Sequence, residues 1–451
     1  MKKVISKTVN GGITHKKIRL YTEKKSCICC GSKKLKELVD LGEQPLANSF
    51  HKKSDVLKKY PLKTNFCLNC KHIQLSHIVN PDNLFKNYLY VSGTTNTLKK
   101  FFRDNAQYCV NKVKNYRTQN DFEKGIEDTL EDWSNYSNKT INEVSVLDIA
   151  CNDGSQLDEF KKLGAKTYGV DPAKNLAEIS RKNHSVVCDY FNGNSFKGKK
   201  FDIITAQNVF AHVENPLNFL INANKILKDN GLMFVQVSQS EMFSNTQFDT
   251  IYHEHISYFS VTSMNELITR AGMNLYAIDE FDIHGGSTVF VIAKKGVSKL
   301  GDARSLLFTH HQLKYESSYD SVTFERVNEY AERVKQKAEK TLELINEYKK
   351  KGYHIYCYGA AAKGMTFLNY VKPKGIKAII DDNPLKVGLL TPGTDLEVKP
   401  VSEIKKTKAK KILFIILAWN FAYEIKERIH AVRKNDDDRF LFAFPNCRVV
   451  K

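Results

Sequence analysis

At 451 residues the chain is too long for one compact core, and its length suggests about three domains. A hydrophobic content of 42% and an aromatic content of 11% fit a folded soluble protein, and the longest apolar run, Ile412 to Trp419, is far too short to span a membrane. The net charge of +19 is spread in short runs such as Lys349-Lys350-Lys351 and Lys410-Lys411; this diffuse lysine reads as an ordinary solvated surface, with attraction for an anionic small molecule or polymer as the alternative, and the compact basic stripe of a nucleic-acid binder is not visible.

Residues 1 to about 25 are polar and basic, lack the apolar core of a signal peptide and are expected to be loose. Two C-x-x-C pairs follow, Cys27 with Cys30 and Cys67 with Cys70, with 36 residues between Cys30 and Cys67. That spacing predicts a structural Zn2+ held by four thiolates, tetrahedral and closed, with Cys29 a spare thiol or an alternative ligand. The remaining cysteines are scattered, which argues against a disulfide framework and for a reducing, cytoplasmic location.

Residues 97 to 140 are charged and mostly helix-like. Strands are then expected at Ser145 to Ile149, Ala165 to Val170, Ser185 to Cys188, Phe201 to Thr205 and Gly231 to Val237, with helices at Ser155 to Leu163, after Pro172 and at Leu217 to Leu227. This alternation predicts a parallel, doubly wound α/β sheet. Val327, Ala331, Val334, Ala338, Leu342 and Ile345 fall at helical spacing and predict a long amphipathic helix from Phe324 to Lys350 packed between domains. The last hundred residues restart the alternation as a second, smaller α/β lobe.

In an open parallel sheet the ligand lies at the carboxyl ends of the strands. The first such turn, Asp148 to Gly154 with Asn152 and Asp153, is of the kind that meets the amino-acid end of S-adenosyl-L-methionine. Asp171 ends the next strand and is placed for the ribose hydroxyls. Asp189, after the third strand, could reach the adenine, and Gln207 with Asn208, after the fourth, would border the sulfonium. About a hundred residues downstream of the first turn, Tyr252-His253-Glu254-His255 forms an acid/base cluster. The zincin pattern His-Glu-x-x-His is excluded because its second histidine position is Ser257. In the last lobe, Tyr358-Gly359-Ala360 with Asp381-Asp382 could hold a second dinucleotide, or the lobe could grip a substrate nucleotide with Lys363 near a phosphate, or be structural. Trp419-Asn420 sits at another strand end and could line the same crevice.

Taken together, these residues resemble the nucleotide-sugar C-methyltransferases that act on deoxysugars. The resemblance covers nearly the whole chain and rests on Cys27-x-x-Cys30-Gly31, Leu41 to Asn48, Cys67 to Leu75, Tyr88 to Gly93, Asn152-Asp153-Gly154, Gly169 to Pro172, Ile251 to His255, His284 to Ser287, Tyr358 to Gly364 and Pro392-Gly393-Thr394. It implies a Rossmann-like class I methyltransferase core at 96–300, a zinc-binding lobe at 20–95 and a C-terminal substrate-binding lobe at 301–451. It further implies methylation at carbon 3 of a nucleotide-linked 4-keto-deoxysugar through an enolate. By the family's pattern His255 would be the general base, Tyr252 and Glu254 would orient the sugar or stabilise the enolate, and Tyr88, Tyr90, His284 and Lys363 would contact substrate. The chain departs from the pattern at Ala150-Cys151, where both residues remain small, and at Thr288-Val289, where relatives often carry Leu-Arg; losing that arginine puts the identity of the substrate in doubt. O- or N-methylation of a nucleotide-linked aminosugar is the nearest alternative, and a zinc-ribbon nucleic-acid-binding protein is the alternative from another class. The nucleotide, the stereochemistry and the oligomeric state stay open.

Overall fold

The computed structural model describes residues 3–9, 12–18, 20–85, 91–123, 144–239, 241–296, 309 and 323–451. Its central sheet has seven strands in the spatial order Ser185–Val187, Lys166–Val170, Ser145–Ile149, Phe201–Gln207, Leu227–Val237, Ser287–Lys294, Met273–Phe281. Six run in one direction and Ser287–Lys294 runs against them. The fold is thus the expected α/β core, with an antiparallel addition at one edge. Strand order reverses between Ser145–Ile149 and Phe201–Gln207, so the crevice opens at their carboxyl ends.

Phe201–Gln207 is buried along all but its last residue because both faces are covered. Ile203 points to a cluster with Ala106, Val110 and Val113 of the helix Asn96–Glu123. Ile204 and Ala206 point to the other side, against Leu220 and Ala223 of the helix Pro216–Ile226. A polar lock at the sheet's base complements this packing. Buried Asp202 accepts hydrogen bonds from the Ser145 backbone N–H at 2.7 Å and from Lys228 at 2.8 Å, and pairs with Arg117 of the first helix. These partners hold its carboxyl below the usual carboxylate range, against the opposing effect of burial. Because the folded pKa is the lower one, the stabilisation is complete above the unfolded value of 3.8 and is lost as pH falls through the folded one. Asp202→Ala should cost about 2 to 3 kcal/mol in denaturant unfolding at neutral pH, less than a fully buried pair would, because water screens the partly exposed Lys228. The difference from the parent should shrink below about pH 4.

The zinc lobe is a four-stranded antiparallel sheet ordered Ser257–Tyr258, Ile73–Leu75, Lys59–Cys67, Leu35–Pro45. Its outer strand comes from the central region of the chain, directly after the acid/base cluster, with Ser257 opposite Gln74 and Tyr258 opposite Ile73. Before this sheet, Lys3–Val9 and Gly12–Ile18 form an antiparallel pair where a loose segment is expected. Asn10-Gly11 stands between them in the sequence, a dipeptide favoured in two-residue hairpin turns.

The third sheet runs Val398–Lys399, Ile376–Ile380, His354–Tyr358, Ile412–Ile416, Arg439–Phe442, Arg448–Val450, parallel except for the last strand. The helix Phe324–Lys350 lies between lobes as expected, in one apolar cluster with Leu62 and Phe66 of the zinc lobe, Phe248 and Ile251 of the central region, and Ile355 and Leu413 of the last sheet. Its buried stripe is Val327, Tyr330, Val334, Ala338, Thr341 and Ile345. Tyr330 and Thr341 take the places expected of Ala331 and Leu342, which are only half-buried, since a stripe facing several lobes need not follow the most apolar choice at each turn. Among the described residues no helix is long and apolar enough to cross a membrane.

Candidate active site and zinc centre

The sulfurs of Cys27, Cys30, Cys67 and Cys70 all lie within 4.8 Å of one another, with Cys27 to Cys70 and Cys30 to Cys67 both at 3.6 Å. Tetrahedral Zn–S bonds of about 2.3 Å place sulfurs about 3.8 Å apart, so the donor set fits zinc with little adjustment. Each knuckle closes in the same way. The N–H of Gly31 donates to the Cys27 carbonyl at 2.8 Å and that of Lys71 to the Cys67 carbonyl at 3.0 Å, both residues in the left-handed region. Cys29 is not in the cluster; its thiol donates to the Ser263 carbonyl at 3.3 Å, on the helix Val261–Arg270.

A cleft of about 600 Å³ opens at the strand ends and is walled by all three lobes. On the donor side, Asp148 is buried, accepts from the Thr205 hydroxyl at 2.7 Å and is pushed up to about 7 by burial. The Asn152 N–H donates to Asp171 Oδ2 at 2.9 Å and the Ala173 N–H to Oδ1 at 2.8 Å, so one carboxylate links the first two turns. Burial raises the Asp171 pKa. Asn152 and Asp153 also accept from the N–H groups of Ser92 and Gly93, each at 3.0 Å, which fastens the segment after the zinc lobe over the donor turn.

Gly154 has a φ of +86°, and a side chain there would collide with Ser180 Oγ at 2.6 Å. Its lack of a Cβ therefore serves packing of the turn against the helix Lys174–Ser180. Asp189 is exposed, turned back onto the Tyr190 N–H at 2.7 Å, and is not in the cleft wall. Tyr190 and Phe191 line that stretch instead. The strand Ser185–Val187 is short, so the chain turns earlier than an alternating pattern suggests and presents the next side chains inward. Gln207 donates to Gln156 at 2.8 Å, while its own carbonyl oxygen and that of Asn208 are buried without a partner among the described residues. Both residues line the cleft. Orphaned acceptors beside the acidic Asp171 suit a ligand rich in hydroxyl and amino donors with a cationic centre, so the pocket fits S-adenosylmethionine.

Across the cleft, His255 is 4% exposed. Its Nδ1 lies 2.8 Å from the Thr250 carbonyl, which can only accept, so Nδ1 carries the proton and Nε2 is the basic nitrogen. Nε2 accepts from the Tyr252 hydroxyl at 2.7 Å. Burial drives the His255 pKa well below 6.5, keeping the imidazole neutral. Both residues face the cleft. Glu254 does not line it; it is buried and accepts from Asn48 of the zinc lobe at 2.6 Å, and Asn48 reaches the cleft wall. His253 points away, its Nε2 3.3 Å from the Tyr60 carbonyl. The cluster of four consecutive residues is thus split between the cleft and the interlobe contact.

His284, with a φ of +57°, lines the cleft and is pushed down to about 4 by burial. Lys363 also lines it and donates to the His284 carbonyl at 3.3 Å. Tyr88 and Tyr90 lie outside the described residues. His212 and Lys386 are among the cleft residues that escaped the sequence reading. His212, in a turn after the strand Phe201–Gln207, stands edge-on to His255 with ring centroids 5.1 Å apart, and Lys386 adds a second cation. A lone histidine beyond a strand end and one lysine among dozens carry no local signal.

A seven-stranded sheet with one reversed strand and a donor-type cleft at its switch point defines a class I methyltransferase fold. The chain is an S-adenosylmethionine-dependent methyltransferase: residues 27–85 match a zinc binding domain family, 102–278 a methyltransferase domain and 282–445 a C-methyltransferase C-terminal domain. C-methyltransferase NovU of Streptomyces niveus is 26% identical over 437 residues, 94% of this chain and 96% of that protein. A ubiquinone biosynthesis O-methyltransferase of Pelagibacter ubique is 31% identical over 105 residues, 22% of this chain and 44% of that protein. The solved structure of a S-adenosylmethionine-dependent methyltransferase from Clostridium acetobutylicum covers 40% of this chain and 98% of its own, with 12% identity and a TM-score of 0.29.

Proposed function

We propose that the enzyme methylates carbon 3 of a nucleotide-linked 4-keto-deoxysugar through an enolate. The observation that carries this reading is the basic Nε2 of a buried neutral His255, hydrogen-bonded to a phenol and facing the donor turns across one cleft. A proton on carbon beside a ketone is removed when a base and an oxyanion donor act together. On substrate entry Nε2 exchanges the Tyr252 hydroxyl for the C3 proton, and that hydroxyl turns to the sugar's carbonyl oxygen. The C3–H electron pair moves into the C3–C4 bond and charge builds on the oxygen, where the Tyr252 O–H donates. When bound, S-adenosylmethionine supplies the electrophilic methyl group to which that pair goes as the new C–C bond forms and the C–S bond breaks. Asp171 would take the ribose hydroxyls, Asp148, Asn152 and Asp153 would set the turn at the amino-acid end, and Gln207 and Asn208 would border the sulfonium. Glu254 acts through Asn48, which touches the sugar. His284, Lys363 and Lys386 form the acceptor side, where two cations suit a diphosphate.

The test is transfer of isotope-labelled methyl to TDP- and UDP-4-keto-6-deoxyhexoses, with the label located by carbon NMR. Label on a ring carbon next to the ketone supports the reading. Label on oxygen or nitrogen, or no transfer to any keto-sugar despite tight donor binding, overturns it.

A further inference from the structure

Asp249 is 1% exposed and belongs to the one-turn helix Phe248–Thr250, just before the acid/base cluster. The next residue, Thr250, supplies the carbonyl that fixes the His255 tautomer. Asp249 Oδ2 accepts from the indole N–H of Trp419 at 2.8 Å, across the boundary with the C-terminal lobe, and its Oδ1 has no partner among the described residues. The same indole carries Lys363 over its face, Nζ 5.3 Å from the ring centroid. Gly285 gives the indole its room, since a Cβ there would stand 2.2 Å from Trp419 Cη2. A carboxylate, an aromatic ring and an ammonium are therefore stacked in series, ending at the cleft wall.

We propose that Asp249 is a positioning residue that, through Trp419, holds Lys363 as a cation at the acceptor side of the cleft to receive an anionic phosphate group of the substrate. An anion accepting the indole N–H enriches the ring in electron density, which strengthens its attraction for an ammonium on its face. Burial disfavours both charges, and each offsets the other's loss of water. The other titratable groups facing Lys363 are His255 and His284, both held neutral by burial. Asp249 is in turn faced by Lys337 and Tyr330. Removing the carboxylate's charge thus leaves Lys363 without its counter-ion, and its ammonium form is lost at lower pH.

The chain has two tryptophans, so a Trp133→Phe background leaves Trp419 as the single indole fluorophore. Its emission should show a pH step from Lys363 that Lys363→Met abolishes and that Asp249→Asn moves down by about one pH unit or more. If Asp249→Asn does not fold, Asp249→Ser removes the same charge with a smaller side chain. The acetylation rate of the Lys363 amine against pH, read by mass spectrometry, then gives the same midpoint and should show the same downward shift. In turnover, Asp249→Asn should raise KM for the nucleotide-sugar about tenfold or more above the shifted midpoint, with most of the loss recovered below it and kcat within about threefold. An unshifted midpoint, or a step that persists without Lys363, overturns the proposal. Only the KM measurement rests on the nucleotide-sugar reading. A shifted midpoint in an enzyme that methylates no keto-sugar would reject that reading and leave the Asp249 coupling standing.

Discussion

His255→Gln should lower methyl transfer by about a thousandfold, the scale of a positioned general base, while donor binding measured by calorimetry stays within about twofold. Glutamine keeps the length and a hydrogen-bonding end for the Tyr252 hydroxyl but has no nitrogen that takes a proton. The His255 side chain hydrogen-bonds to Thr250 and Tyr252 and not to Asp148, Asn152, Asp153 or Asp171, so binding and chemistry should separate. The pH profile supplies a second check. Since burial holds the imidazole pKa below 6.5, kcat/KM should remain on its plateau through neutral pH and fall only on the acid side, below 6.5, as Nε2 takes up a proton. A fall centred above 6.5 would assign the essential base to another group. Tyr252→Phe should lower kcat more than it raises KM, because its hydrogen bond strengthens as charge builds on the oxygen.

Loss of zinc should have the second large effect. Cys67→Ser should leave the purified chain with less than one zinc per molecule by elemental analysis and lower the melting temperature by about 10 °C or more, since structural zinc supplies much of the stability of small lobes. Chelator treatment of the parent should reproduce that shift, and readdition of zinc should reverse it. Activity should fall as well, although no ligand touches the cleft. The sheet that zinc closes includes Ser257–Tyr258, two residues beyond His255, and Asn48 bridges from the same lobe to Glu254.

The parts legible in the sequence were those written into a short stretch. Two C-x-x-C knuckles name four ligands, and Asp148 to Gly154 with Asp171 names two strand ends, because each pattern is local and chemically specific. The apolar run that begins at Ile412 reported a buried parallel strand, and Ile412–Ile416 is fully buried between two parallel neighbours. What could not be read depended on residues far apart. A two-residue strand such as Ser257–Tyr258 has no periodicity, and its pairing with Gln74 and Ile73 exists only once the lobes meet. The placement of Asp189 turned on where a three-residue strand ends, a shift that exchanges an acid for Tyr190 in the wall. Glu254 stands beside His255 in sequence yet lies outside the cleft wall, where it accepts a hydrogen bond from Asn48.

The strand Ser257–Tyr258 also sets the unit by which such proteins can be recombined. A chimera that exchanged only the residues ahead of the central sheet would divide a four-stranded sheet between two parents, leaving one edge to meet a foreign partner. A graft that carries the segment from Phe248 to Phe259 along with the zinc lobe keeps the sheet whole. Synthesis on the ribosome meets the same constraint, because the zinc-bound hairpin emerges with an open edge that waits about 180 residues of translation for its final strand.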